Sequence, residues 1–175
     1  MNLRKSILTA LLIAIGYILH QIVPGTIGNM KFDIMLSVIF VSLLINRDFK
    51  NAVVTALLGG IITAMTTTFP GGQIPNIMDK LVTCSLVFLL IKLTENLKGQ
   101  TIVVGIISFL GTIVSGIVFL TSALYMVGLP APFHILFMGI VLPTAVTNIF
   151  ATIFIYQTVK LAMKVSGIKL IDQQR

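Results

Sequence analysis

Long apolar runs that hold very few charged residues are the feature that most restricts what this sequence can form. Six runs occur, each bounded by charge, glycine or proline, at residues 6–23, 32–45, 52–69, 77–93, 102–127 and 133–158. A helix needs about 20 mostly apolar residues to cross a bilayer. Charged residues make up 10% of the 175 residues, against roughly 25% in soluble domains. The sequence therefore predicts an integral membrane protein with a single transmembrane domain, residues 1–175.

The six runs are predicted to be helices. Open sheet edges are excluded from lipid, and these runs are too long and too uniformly apolar for barrel strands. The predicted fold class is therefore all-α, with six transmembrane helices. The second run is short for a full span, so we expect it to sit in a thinned bilayer, to tilt or to be shielded by neighbours. The fifth run is long, so we expect it to tilt or to extend beyond the bilayer.

The distribution of basic residues predicts the orientation. Of the 12 lysines and arginines, all but Lys31 and Lys80 lie at the two termini or in the two loops that share a side with them. Positively charged loops favour the cytoplasm, so both termini are predicted to be cytoplasmic. The same distribution argues against a nucleic-acid partner despite the net charge of +7, because the basic residues form short clusters between apolar runs and not a continuous stripe.

Small or polar residues recur at helical spacing in three of the runs. They are Thr55, Gly59, Thr63 and Thr66 in the third run, Ser108, Thr112, Ser115 and Ser122 in the fifth, with Phe119 at the same spacing, and Thr144, Thr147, Asn148 and Ala151 in the sixth. Such faces turn toward other helices or toward a cavity. Close helix packing and ligand binding are equally compatible with these three patterns.

The fourth run carries the most specific pattern. Asn76, Asp79, Lys80 and Thr83 fall at i, i+3, i+4 and i+7, which places an amide, an acid and a base on one helix face. Ionisable side chains inside a membrane are costly and generally functional. The functional interpretation of Asp79 and Lys80 is therefore favoured over a purely structural ion pair.

The segment before this run, TTTFPGGQIPN at residues 66–76, combines hydroxyl groups, two amides, two glycines and two prolines. Gly71 and Gly72 permit turns that bulkier residues resist. We expect this loop to present backbone groups to a small ligand, the alternative being a tight turn between two spans. Further polar residues are predicted on the same side of the membrane: Gln21, Lys31, Asp33, Tyr125 and His134.

No pattern for an enzyme is found in the sequence. GxSxG, HExxH, P-loop and paired-aspartate motifs are absent, so any ATP that drives this protein must be bound by another chain. Cys84, the one cysteine, lies in an apolar run and is expected to be a small buried residue. His134 has no evident partner ligands, so neither a metal nor a cofactor is predicted.

Three segments carry a resemblance to a known family. ILHQIVPG at residues 18–25, MKFD at 30–33 and the block at 50–80 that contains TTTFPGGQIPN resemble the bacterial tryptophan-transport family TrpP. That family belongs with the substrate-binding S components of energy-coupling factor (ECF) transporters, and the resemblance covers nearly the whole chain. It implies a six-helix protein of the bacterial cell membrane that captures its substrate from outside. It also implies three partners, a transmembrane T protein and two ATP-binding subunits, and Ala10 and Ala14 match the AxxxA motif used for docking.

The resemblance further implies a zwitterionic aromatic substrate, tryptophan or a related compound. Lys80 or Lys31 would then hold the carboxylate, and Asp79 or Asp33 the ammonium group. Aromatic surface would come from Phe69, Tyr125, Phe133 and Phe137. The complete set of candidate substrate-binding residues is Lys31, Asp33, Thr67, Phe69, Gly71, Gly72, Gln73, Asn76, Asp79, Lys80, Tyr125 and Asn148.

Two alternatives remain open at the level of sequence. A stand-alone secondary carrier of an amino acid or vitamin would also use charges within the membrane, although such carriers are usually larger and contain internal repeats. A non-transporting membrane scaffold or assembly factor would use the polar faces for helix packing alone. Such a scaffold would bind no ligand saturably and would tolerate Asp79→Asn or Lys80→Met.

Overall fold

A computed structural model of the chain describes residues 3–24, 31–95, 97 and 99–166. Within these residues the chain forms helices and no strand. They are α1 (Leu3–Ile22), α2 (Met35–Ile45), α3 (Phe49–Thr66), α4 (Gln73–Leu93), α5 (Gln100–Met126) and α6 (Phe133–Val165). Gly25 and Met30 of the family resemblance, and Lys98, Lys169 and Arg175 of the orientation argument, lie outside the described residues. The predicted all-α class is confirmed for the part described.

Five of the helices are long and apolar enough to cross a membrane, namely all except α2. Their bounds follow the predicted runs, but most extend by a few residues into flanking polar sequence. At the start of α3, for example, the Asp48 side chain accepts a hydrogen bond from the Lys50 backbone N–H at 3.1 Å. This cap satisfies one of the free N–H groups of the first turn, so α3 begins at Phe49, three residues before its apolar run.

Helix α2 is the centre of the bundle. All 11 of its residues are buried, and each of the five longer helices packs against it. At 1.5 Å per residue α2 is about 16 Å long, roughly half the thickness of the hydrocarbon core. Of the three ways in which a short apolar run can be accommodated, shielding by neighbouring helices is the one observed.

Helix α6 contains one turn of π-helix, Phe137–Val141. The backbone N–H of Leu142 donates to the carbonyl of Phe137, five residues earlier. Pro143 follows directly and has no N–H to donate, so the regular α-helical hydrogen-bond ladder cannot continue through it. The π turn absorbs this interruption, and the helix continues to Val165.

The polar faces predicted from spacing point into the bundle, with one correction. Thr55, Thr63, Ser108 and Thr112 are all buried. Thr147, however, is exposed, and its hydroxyl donates to the carbonyl of Pro143 in its own helix at 2.9 Å. The prediction that Thr147 shares the inward face of Asn148 was wrong, because an i, i+3, i+4 stripe is broad and its Thr147 edge is turned away from the bundle.

A residue that the sixth-run pattern did not include completes that face. Thr152, four residues after Asn148, is buried, and its hydroxyl lies 2.8 Å from that of Ser108 in α5. Asn148 itself donates to the hydroxyl of Thr112 at 3.2 Å and accepts from Ser37 at 3.0 Å. Hydrogen bonds across helices thus connect α2, α5 and α6 where apolar contact with lipid gives no preference for helix association.

Candidate functional site

A cavity opens at one end of the bundle, which we call the cavity end. There the last turn of α1 and the start of α2 meet the connections that join α3 to α4 and α5 to α6. The cavity measures about 590 Å³ including the space open to solvent. Its lining residues are His20, Lys31, Asp33, Leu36, Thr67, Thr68, Phe69, Asn76, Asp79, Thr112, Ser115, Gly116, Phe119, Ile140, Val141 and Thr144. Every helix of the bundle, or a residue adjacent to it, therefore contributes to one cavity.

The floor of the cavity contains a buried charge triad. The ammonium of Lys80 lies 2.6 Å from Asp33 Oδ2 and 2.5 Å from Asp79 Oδ2, and the Lys80 side chain is 0% exposed. Asp79 also accepts from the hydroxyls of Thr83, at 2.8 Å, and Ser115, at 2.9 Å. The triad joins the start of α2 to α4 and α5, and its formal charge is −1.

The predicted face of α4 is confirmed as a structural arrangement, since Asn76, Asp79, Lys80 and Thr83 are all buried. Their access to the cavity differs. Asp79 and Asn76 line the cavity, whereas Lys80 is enclosed beneath it. Of the two lysines proposed for a ligand carboxylate, Lys80 is already neutralised by two acids, so its ammonium has little capacity to bind a third.

Two polar atoms that face each other at the cavity end have no hydrogen-bond partner among the described residues. These are His20 Nδ1 and Asp33 Oδ1, which lie 3.6 Å apart. The His20 side chain is only 6% exposed. Buried polar groups are rarely left unpaired, and each such group costs free energy. A ligand N–H donor would satisfy Asp33 Oδ1, which can only accept when the carboxyl is ionised, whereas His20 Nδ1 donates or accepts according to its tautomer.

Asp33 is prepared to act as an anion. The Lys80 ammonium, 2.6 Å from Asp33 Oδ2, favours the ionised form of the Asp33 carboxyl. Because Lys80 engages Oδ2 alone, Oδ1 remains able to accept a hydrogen bond from a cationic group.

Lys31 supplies the complementary charge. It is half-buried, lines the cavity and donates long hydrogen bonds to two backbone carbonyls, those of His20 at 3.5 Å and Thr66 at 3.4 Å. Within the described part of the chain it forms no ion pair. Weak contacts to neutral carbonyls leave the Lys31 ammonium available to an anionic ligand group, in contrast to Lys80.

Part of the cavity lining is apolar. Phe69, which is 4% exposed, and Phe119 pack edge to face with their ring centroids 5.5 Å apart. Leu36, Ile140 and Val141 add aliphatic surface. A pocket that combines apolar surface with a few polar groups is the usual form of a site for a small organic molecule.

The structure brings together half of the candidate residues and separates the others from the cavity. Lys31, Asp33, Thr67, Phe69, Asn76 and Asp79 line it, whereas Lys80, Gly71, Gly72, Gln73, Tyr125 and Asn148 do not. Tyr125 is 84% exposed on α5, and Gln73 is exposed at the start of α4. Nor does the second pair of proposed aromatic residues line the cavity; Phe133 and Phe137 stack on each other with centroids 6.3 Å apart.

The two glycines of the α3–α4 connection form a turn and do not face the cavity. Gly71 has φ +71°, and a Cβ at this position would overlap the side chain of Val127. The backbone N–H of Gly72 is already bonded to the carbonyl of Phe69 at 3.0 Å. The alternative interpretation of this segment, a tight turn between helices, therefore describes Gly71 and Gly72 better than a ligand-binding backbone does.

Asn148 connects helices and does not line the cavity. Its two amide N–H groups donate to the Thr112 hydroxyl and to the backbone carbonyl of Asp33, the latter at 3.1 Å. Asn148 thereby fixes the position of Asp33, which does line the cavity. A contribution to the site through positioning was not foreseen from the sequence.

Sequence reasoning missed His20, Thr112 and Ser115 as lining residues. Thr112 and Ser115 were placed on an inward helix face, but nothing in the spacing showed which part of that face meets a cavity. His20 lies in the ILHQIVPG segment, and a histidine near the end of an apolar run was the available signal. His20 belongs to the site because the fold places it beside Asp33, a contact that no local pattern in the sequence indicates.

Comparisons with known proteins agree on one family. The family model described as tryptophan transporter TrpP matches residues 2–164. A relative named probable tryptophan transport protein from Clostridium acetobutylicum is 43% identical over 94% of this chain and 96% of its own length. Relatives with the same name are 43% identical in Bacillus subtilis, over 95% of this chain and 96% of the relative, and 41% identical in Clostridium perfringens, over 93% and 94%. No solved structure matches the chain. With its apolar helices, the chain is a multi-pass protein of the bacterial cell membrane.

The buried triad is expected to contribute to the stability of the folded chain. Lys80→Met is expected to lower the free energy of unfolding by about 3 kcal/mol or more, because two carboxylates would stay buried without their counter-charge. Thermal unfolding of the detergent-purified protein measures this. Lys92→Met, which removes an exposed lysine from the same helix, is the matched control and should cost less than about 0.5 kcal/mol. Adding Asp33→Asn and Asp79→Asn to Lys80→Met should recover part of the loss; equal effects of Lys80→Met and Lys92→Met would contradict the prediction.

Proposed function

The chain belongs to the tryptophan transporter family TrpP, and on this premise we propose that it is the substrate-binding membrane subunit, or S component, of an ECF-type importer of tryptophan. In this proposal the chain captures the amino acid from outside the cell. A transmembrane T protein and two ATP-binding subunits then drive release to the cytoplasm. The chain is a transport protein and not an enzyme; ATP hydrolysis belongs to the partner subunits.

One observation carries the substrate assignment: the cavity offers separate groups for the three parts of an aromatic amino acid. Asp33 Oδ1 is an unpartnered acceptor for the ammonium group. Lys31 carries a positive charge held only by weak contacts to carbonyls and suits the carboxylate. Phe69 and Phe119, which both line the cavity, supply aromatic surface for the ring.

The charges of the site favour a zwitterion over a simple cation or anion. The triad of Asp33, Asp79 and Lys80 has a formal charge of −1, and Lys31 adds +1 at the same end of the bundle. A ligand with both an ammonium and a carboxylate gives a counter-charge to the triad and to Lys31. A ligand with a single charge leaves either the triad or Lys31 without one. The indole side chain supplies apolar area that the apolar part of the lining would bury.

The assignment of Lys31 to the carboxylate and of Asp33 to the ammonium group can be tested with truncated ligands. Tryptamine lacks the carboxylate of tryptophan, and indole-3-propionate lacks its ammonium group. Lys31→Gln is expected to weaken tryptophan binding tenfold or more, about 1.4 kcal/mol, while leaving tryptamine binding unchanged. Asp33→Asn should weaken the binding of tryptophan and of tryptamine but not the binding of indole-3-propionate. Calorimetry on the purified chain measures all three ligands.

The three ligands together also serve as the control for folding. A variant that has merely lost its structure would lose every ligand in proportion. Equal losses for tryptophan and both truncated ligands would therefore refute the assignment of Lys31 and Asp33. A folded wild-type chain that binds none of the three would refute the proposed substrate itself.

For coupling to a transmembrane partner, we place the docking surface on α1. Ala10 and Ala14 are both exposed there, four residues apart, so they lie on one face of the helix. Two small residues at this spacing allow another helix to approach closely. Ala10 and Ala14 lie near the middle of α1, whereas the cavity opens at the end that carries His20, so partner contact and substrate contact would occupy different parts of the helix.

Docking and binding can therefore be separated by mutation. Ala10→Leu combined with Ala14→Leu is expected to reduce tryptophan uptake by cells about tenfold or more while the isolated chain still binds tryptophan normally, because leucine side chains hold a partner helix away. Ala162→Leu, at an exposed position of α6, is the matched control. Uptake by the double variant at the wild-type rate would show that docking lies elsewhere.

We further propose that α2 completes a set of six crossings and that both termini are cytoplasmic, as the basic residues indicate. This places the cavity end outside the cell. In a Cys84→Ala background, a membrane-impermeant thiol reagent should label Gln73→Cys on intact cells, and label Ser166→Cys only after the membrane is opened. Ser85→Cys, exposed on the side of α4 toward lipid, should remain unlabelled in both cases. Labelling of Ser166→Cys on intact cells would reverse the proposed orientation.

A further inference from the structure

Helices α5 and α6 make an unusually close approach beside the cavity. At Gly116 of α5, an added Cβ would lie only 3.0 Å from the Cβ of Val141 in α6 and closer still to both of its methyl groups. Carbon atoms in proteins do not normally pack at such distances. The backbone of α5 thus supports the Val141 side chain directly, and only glycine leaves room for this.

The backbone of α6 explains why Val141 occupies this place. Val141 is the last residue of the π turn Phe137–Val141, and Pro143 follows two residues later. Ile140, its neighbour in the turn, also lines the cavity. The irregular turn therefore directs two adjacent side chains toward the cavity, and π turns frequently occur at functional sites.

Both partners of this contact belong to the cavity wall, since Gly116 and Val141 each line it. Phe119, one helical turn after Gly116, contributes the aromatic part of the same wall. A change in bulk at either partner must therefore alter the space beside Phe119. Val141 is buried, at 4% exposed, and protein interiors are close-packed, so we expect added volume to reduce the space of the cavity.

We propose that the Gly116–Val141 contact determines specificity: it sets the width of the cavity so that the two-ring side chain of tryptophan is accepted in preference to single-ring aromatic amino acids. This inference rests on the proposed function and adds to it the residues that select by ring size. One methylene in an apolar pocket commonly changes discrimination by about 10- to 200-fold. The contact is thus sufficient in magnitude to decide between indole and phenyl rings.

The test compares tryptophan and phenylalanine binding to the purified full chain. Gly116→Ala is expected to weaken tryptophan binding tenfold or more and phenylalanine binding by less than about threefold, because the added methyl group and the displaced Val141 take up space that only the larger ring needs. Gly116→Ala combined with Val141→Ala should return tryptophan affinity to within about threefold of wild type. Only a Cβ–Cβ contact near 3.0 Å would remain in that variant.

Two further variants keep the test decisive if Gly116→Ala does not fold. Val141→Ile adds one methylene to the same wall without changing α5. It should likewise weaken tryptophan binding more than phenylalanine binding. Gly105→Ala lies on α5 away from the cavity, where the new Cβ would meet Ile153 at an ordinary 3.4 Å. This control should leave both affinities unchanged.

The outcomes separate this inference from the proposed function. If wild type binds tryptophan but Gly116→Ala and Val141→Ile weaken both amino acids equally, or neither, the inference is overturned while the proposed function stands. If wild type binds no aromatic amino acid, the proposed function fails and the inference fails with it. A selective loss of tryptophan that Val141→Ala repairs supports both.

Discussion

The ammonium of Lys80 has no contact with water, and the arrangement of the helices at the cavity end depends on neutralising it. Asp33 reaches it from the start of α2, Asp79 from the same helix as the lysine, and Ser115 connects Asp79 to α5. Removing one member would leave a charge in a medium that solvates it poorly, so the triad acts as a unit. Because two of its members line the cavity, the interaction that holds the helices together also creates the anionic part of the site.

The short helix α2 makes this arrangement possible. Its complete burial means that the chain needs no long apolar span there, and that Asp33, just before the helix, is held well inside the bundle at the level of Lys80. Asn148 secures the same position from α6 by donating to the Asp33 carbonyl. Hydroxyl groups and amides thereby take over, within lipid, part of the role that apolar burial has in water.

The helices and the inward face of α4 could be predicted from the sequence, because apolar length and i, i+3, i+4 spacing are local properties. The cavity could not be predicted in the same way, since it depends on which helices become neighbours. Polar character alone marked Gln73 and Tyr125 as candidates, yet they face outward. His20 and Gly116 were not candidates, because a histidine gains meaning from the acid beside it and a glycine from the side chain that packs on it.

The balance of charge around the cavity has a consequence for energetics across the membrane. Asp33, Asp79, Lys80 and Lys31 together carry no net formal charge, and tryptophan as a zwitterion adds none. A membrane potential acts on net charge that moves through it, about 2.3 kcal/mol for each elementary charge per 100 mV. On the proposed function, an empty and a loaded site therefore respond alike to the potential. The electrical field would neither assist nor oppose inward delivery, and accumulation of the substrate would have to draw on chemical energy supplied by a partner.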